Sequence, residues 1–182
     1  MANNRVIKSF NSNGDRIIIR YPLIKDSDDL FENINSLVSE RVFIDIQEKQ
    51  TKLKEKKWLL SLLKDIKGGK SVALVAEING KVVGLANVER EKSKSMSHVA
   101  HFGIALIKEA RGRGIGEKLL RAIVAEAKKV LKIKIVTLSA FADNRPAVSL
   151  YRKCGFVKTE TMRGGIKHYG KYLDRIHMIK YL

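Results

Sequence analysis

Apolar positions along the chain switch several times between the two-residue period of a strand and the three-to-four-residue period of a helix. The run Arg16-Ile17-Ile18-Ile19-Arg20-Tyr21 is β-branched and stops at Pro22, which predicts a first strand. Behind Ser27, read as an N-cap, Leu30, Phe31, Ile34, Leu37 and Val38 fall on one helical face. A second helical pattern runs from about Glu48 to Ile66, with Leu53, Trp58, Leu59, Leu62, Leu63 and Ile66 on its stripe and lysines opposite; Gly68-Gly69 ends it. Ser71 to Ile78 and Lys81 to Glu89 are apolar and β-branched, and they flank Asn79-Gly80, a strong hairpin signal.

Residues 90 to 97 are polar and read as a turn, after which His98 to Ile107 predicts another strand. Ile115, Leu119, Leu120, Ile123, Val124, Ala127, Val130 and Leu131 then mark a helix, and Ile133 to Phe141 a strand apolar enough to be buried on both faces. Strand, helix, strand is a crossover unit, so those two strands should run parallel. Asp143-Asn144 caps a short helix with Pro146 in its first turn, ending near Cys154-Gly155. Phe156 to Thr161 and Tyr172 to Leu182 are final strands around a loop containing Met162-Arg163-Gly164-Gly165. Residues 1 to 14, polar and ending in Ser-Asn-Gly, read as an irregular arm. The expected fold is α/β: a mixed sheet with helices on both faces, one domain over residues 16–182 behind an arm at 1–15.

Composition narrows this picture. An apolar share of 45% with only two prolines argues against disorder over most of the length. No long apolar window or signal-peptide segment is present, and a lone cysteine with four histidines forms no zinc-type spacing. The expectation is a cytoplasmic protein without a membrane span or metal. The 36 Lys and Arg outnumber the 19 Asp and Glu, a formal charge of +17. Such a field attracts nucleic acid, a membrane surface or a phosphorylated cofactor without choosing among them.

The segment "EARGRGIGEKLL", residues 109–120, places three glycines and two arginines between a strand and a helix. A dinucleotide fingerprint is excluded, because Gly112-x-Gly114 is followed by Glu117 where a third glycine belongs; a Walker A loop lacks its Gly-Lys-Ser/Thr. A plain turn remains open. So does a phosphate nest of backbone amides at a helix N-terminus, with Arg111 and Arg113 adding charge.

The spacing Arg111, Gly114, Gly116 resembles the acetyl-CoA pyrophosphate loop of the GCN5-related N-acetyltransferase (GNAT) superfamily. Downstream, "DNRPAVSLYRKCGFV" is similar to the family's second signature, matched by Asn144, Ala147, Tyr151, Gly155 and Phe156. The resemblance extends from about residue 16 to the C-terminus. It implies a largely antiparallel sheet whose central parallel pair splays apart, with pantetheine in the gap. Ile104, Ala105 and Leu106 would bind pantetheine through their backbone, with a bulge near Ala105 and Leu106. Arg111, Gly112, Arg113, Gly114, Ile115 and Gly116 would hold the pyrophosphate, and Asn144 and Tyr151 would contact the cofactor.

The implied reaction is acetyl transfer from acetyl-CoA to a primary amine by direct attack, helped by orientation and oxyanion stabilisation. Tyr151 would protonate the departing thiolate. The base stays open among His101, which stands where many relatives carry glutamate, Glu89 on the neighbouring strand, and water. His98 and His101 lie an odd number apart on a strand and cannot share a metal. Residues 35–48 and 161–171 would shape the acceptor pocket; Glu40, Asp45 and Glu48 form a small acidic group there, with Glu40 and Asp45 expected to attract the amine. A CoA-binding sensor without catalysis and a basic nucleic-acid-binding protein are the alternative readings. A homodimer also stays open.

Overall fold

The computed structural model describes residues 5 to 182. Alternation along β3 (Ser71–Ile78) sets the layering. Val72, Leu74 and Ala76 belong to a core shared with Leu119, Ile123 and Ala127 of α3 (Ile115–Leu131). Ala73 and Val75 point the other way, into a second core with Leu30 of α1 (Ser27–Glu40) and Leu59 and Leu62 of α2 (Lys52–Lys67). With every second residue on each face, a strand apolar at both sets of positions must be covered twice.

The remaining elements are β1 (Val6–Ser12), β2 (Asp15–Arg20), β4 (Lys81–Arg90), β5 (Val99–Leu106), β6 (Ile135–Phe141), α4 (Arg145–Lys153), β7 (Val157–His168) and β8 (Lys171–Tyr181). They form one eight-stranded sheet in the order β1-β2-β3-β4-β5-β6-β8-β7. Among the described residues only β5 and β6 pair in parallel, joined by a crossover through α3. The mixed α/β fold with a central parallel pair is therefore present.

Several boundaries differ from expectation for identifiable reasons. Residues 6 to 12, read as irregular, form strand β1, which pairs with β2 across Asn13-Gly14. Both turn residues are left-handed, at φ 52° and 82°, as in the hairpin at Asn79-Gly80. Residues 1 to 4 of the expected arm lie outside the described residues. The residue flanking the start of α1 is Asp26, not Ser27. Its carboxylate is already engaged, accepting two bonds from the buried Arg20 guanidinium at 2.7 and 2.9 Å and one from the Leu23 amide.

Helix α2 begins behind Thr51, whose hydroxyl accepts from the Lys54 amide. Leu53 and Trp58, expected on its buried stripe, are exposed; Glu55 is buried in their place. The Met162-Arg163-Gly164-Gly165 stretch is a register shift inside β7, and the turn falls later, at Tyr169-Gly170.

Candidate active site

The β5–β6 ladder consists of Val99 with Ile135, Ala100 with Val136 and His101 with Thr137, and it stops there. Beyond it the strands diverge. The His98 carbonyl accepts from the Lys134 and Ile135 amides, while the Ile107 amide donates to the Val83 carbonyl on β4. Peptide groups alternate in direction along a strand, so those of Ile104 and Leu106 face the gap rather than β4. The bulge expected near Ala105 and Leu106 is absent: the β4–β5 ladder is continuous from Gly84–Leu106 to Arg90–Ala100. The irregularity lies one strand away, where β4 slips against β3 between Ala76 and Glu77. Splaying alone exposes the β5 backbone.

The gap opens into a cavity of about 860 Å³ that reaches from His101 and Arg175 to Gly112 and Gly114, with Asn144 and Tyr151 on its wall. At the loop end, Gly112 and Gly114 sit at φ +71° and +72°, and a Cβ at either would meet nothing within 4 Å. The glycines are required by backbone conformation, and the space above them is open. The Lys118 amide makes the first helical bond of α3, to the Gly114 carbonyl, which leaves the amides of residues 115 to 117 at a positive helix end. Gly116 acts differently: a Cβ there would lie 3.1 Å from Leu106 and 3.4 Å from Leu150, so its absence lets α3 approach the end of β5. Ile115 turns its side chain into the core.

The two arginines are not free charges. Arg111 forks onto Glu40 at 2.6 and 2.9 Å and donates through Nε to the Leu106 carbonyl. Glu40 is thereby drawn to the loop, away from the acceptor role expected for it, and its carboxyl is held below the usual range by the Arg111 hydrogen bonds. Arg113 donates to Asp15 at 2.7 Å and to the Ser12 carbonyl, while the Ser12 hydroxyl donates to the Arg113 carbonyl. Arg113 thus fastens the loop to the β1–β2 hairpin. The polar groups left unpaired at this end of the cavity are backbone amides.

Tyr151 is packed edge-on against Phe102 and Phe156 and is 8% exposed. Burial pushes its phenol up to about 12, so it carries its proton at neutral pH. Asn144 accepts from the Ala147 amide at 3.4 Å, capping α4 while lining the cavity. His101 also lines the cavity, its Nδ1 3.3 Å from the Thr137 hydroxyl. Desolvation, and then the Arg175 charge, hold its pKa below the ordinary histidine value. Glu89 stands opposite His101 in the β4–β5 register; both are exposed, but Glu89 lines neither this cavity nor the next.

A second cavity, also about 860 Å³, adjoins the first at Gly103, Ile104 and Ala105 and lies on the α1–α2 face. Asp45 borders both. Sequence reasoning missed the Ser139–Arg175 pair, joined at 2.8 Å on the first cavity's wall, and Glu55 and Trp58 in the second. Glu55 had a readable signal, since residues 55, 59, 62 and 66 follow the helical repeat. Among the described residues no helix is long and apolar enough to cross a membrane. No group of three or more His, Cys, Asp or Glu there is placed to hold a metal.

A splayed parallel pair beside a glycine-initiated helix defines an acyltransferase-type architecture, and the comparisons place it. The acetyltransferase (GNAT) family model matches residues 36–156, and the chain belongs to that family. The L-amino acid N-acetyltransferase AaaT of Escherichia coli is 33% identical over 107 residues, covering 59% of this chain and 66% of the relative. An N-alpha-acetyltransferase of Sulfurisphaera tokodaii is 34% identical over 97 residues, covering 49% and 58%. The matched part is thus just under two thirds of the first relative and less of the second. Among solved structures, the ribosomal-protein-alanine N-acetyltransferase from Brucella melitensis superposes with a TM-score of 0.82 at 27% identity, over 90% of this chain and 99% of that one.

Proposed function

We propose that this protein is an acetyl-CoA-dependent N-acetyltransferase that acetylates a primary amine by direct attack with both substrates bound. The observation that carries this reading is the early end of the β5–β6 ladder at His101–Thr137, which turns the Ile104 and Leu106 backbone toward a cavity ending at the free amides of α3. The donor set fits acetyl-CoA: open left-handed glycines and helix-end amides for a pyrophosphate, and strand peptide groups for a pantetheine arm. Acetyl-CoA supplies an acyl group activated as a thioester.

This chain's residues do the rest. A backbone amide of β5 at the gap meets the charge that develops on the acyl oxygen. His101, whose lowered pKa favours the neutral imidazole, takes the proton lost by the attacking nitrogen, directly or through water. As the N–C bond forms and the C–S bond breaks, the Tyr151 hydroxyl gives its proton to the sulfur. The geometry favours His101 over Glu89, which lines no cavity.

The test is CoA-thiol release against a panel of amino acids, polyamines, aminoglycosides and peptides with free N-termini or lysines. Amine-dependent release from at least one class is expected. Tight acetyl-CoA binding with no release across the panel would favour a CoA sensor instead.

A further inference from the structure

Glu55 occupies the first buried position of the α2 stripe that continues through Leu59, Leu62 and Ile66, where the packing calls for an apolar side chain. It is 8% exposed. Among the described residues its carboxylate has no ion-pair or hydrogen-bond partner, although the chain carries a formal charge of +17 and lysines flank it on the same helix. Burial accordingly pushes its carboxyl up. Its oxygens are not sealed off but reach the adjoining cavity, and a carboxylate held without a partner in so buried a side chain is costly to a fold unless something else compensates it.

The surroundings say what that compensation is. Glu55 lines the second cavity, where Asp45, Glu48 and Glu55 stand against Lys54 alone, so this pocket is acidic in a strongly basic protein. Trp58, one helical turn along, adds an aromatic wall. The cavity meets the donor gap at Gly103, Ile104 and Ala105, where the reacting amine is positioned under the acetyltransferase reading.

On that reading, we infer that the acceptor is an amine carrying a second, distal cationic group, with Glu55 as the residue that binds this second charge. The acceptor places its reacting nitrogen at the gap and its other ammonium against Glu55. Diamines and molecules with a basic side chain belong to this class; a simple monoamine does not.

The probes are 1,5-diaminopentane and pentylamine, equal in length and differing in one ammonium. Wild-type protein should show a kcat/KM for the diamine about tenfold or more above that for the monoamine, the scale of one charge-assisted hydrogen bond. In Glu55→Gln that ratio should collapse toward one with the acetyl-CoA KM unchanged. Calorimetric binding of the diamine to the CoA-loaded protein should weaken by a similar factor. A ratio unaffected by Glu55→Gln, or no wild-type preference, overturns the inference while leaving acetyl transfer intact. Glu55-dependent diamine binding without CoA release would uphold the cation site and refute the acetyltransferase reading. Glu55→Leu, which completes the apolar stripe, should unfold at a higher temperature than wild type; a lower one would mean that the carboxylate holds the fold together and would overturn the assignment.

Discussion

The two cavities that meet at Gly103, Ile104 and Ala105 are made of different material. At the loop end of the proposed donor cavity the polar surface is mainly backbone: helix-end amides of α3, left-handed Gly112 and Gly114, and the turned-out peptides of Ile104 and Leu106. The two arginines of the loop are already paired, Arg111 to Glu40 and Arg113 to Asp15. On the acceptor side the polar groups are side chains, and the most buried of them, Glu55, is uncommitted among the described residues. A backbone site binds whatever has the right phosphate shape, whereas a side-chain site is retuned by single substitutions. On the proposed reading, the donor is therefore a property of the fold, and the acceptor a property of this sequence.

Substitutions at the junction should have the largest effects. Tyr151→Phe removes the proton donor without disturbing the packing against Phe102 and Phe156, and kcat should fall about a hundredfold with acetyl-CoA binding nearly unchanged. Equal losses in turnover and binding would make Tyr151 a packing residue. His101→Gln should cost a comparable factor near neutral pH. Because the His101 pKa is depressed, its neutral form persists to lower pH: the acid limb of kcat/KM should fall off below the ordinary value of ~6.5 and vanish in His101→Gln. A limb that survives the substitution assigns the proton to water or another group.

Smaller changes probe the backbone side. Gly114→Val forces a branched side chain into φ +72° and should weaken acetyl-CoA binding about tenfold, through strain of ~1–3 kcal/mol and crowding of the amides. Unchanged binding would remove the loop from the phosphate site. Glu40→Gln should have the smallest effect. It releases a half-exposed Arg111, so the acetyl-CoA KM should drop by up to about fivefold while the amine KM stays put. A raised amine KM would return Glu40 to the acceptor side and blur the contrast between the two cavities.

The same contrast explains what was legible in advance. Glycines with required conformations and a tyrosine at fixed spacing are visible in one dimension, and Gly112, Gly114 and Tyr151 do line one cavity. The partners of Arg111 and Arg113 could not, because Glu40 and Asp15 are brought in from α1 and the first hairpin by tertiary packing. Strand β1 was hidden for another reason: its Asn13-Gly14 turn carries the same signal as Asn79-Gly80, but the strand before it is mostly polar and exposed. Glu55 was obscured by its neighbour Leu53, an apolar residue whose position on α2 faces solvent.

The central claim, that the β5–β6 gap and the α3 amides receive the acyl donor, is tested most directly by following backbone amide resonances during a CoA titration. The largest shifts should fall on Ile104, Leu106 and residues 112 to 117, with little change at residues 52 to 58. Shifts centred on α2, or on the exposed strand β7, with the gap silent, would contradict it.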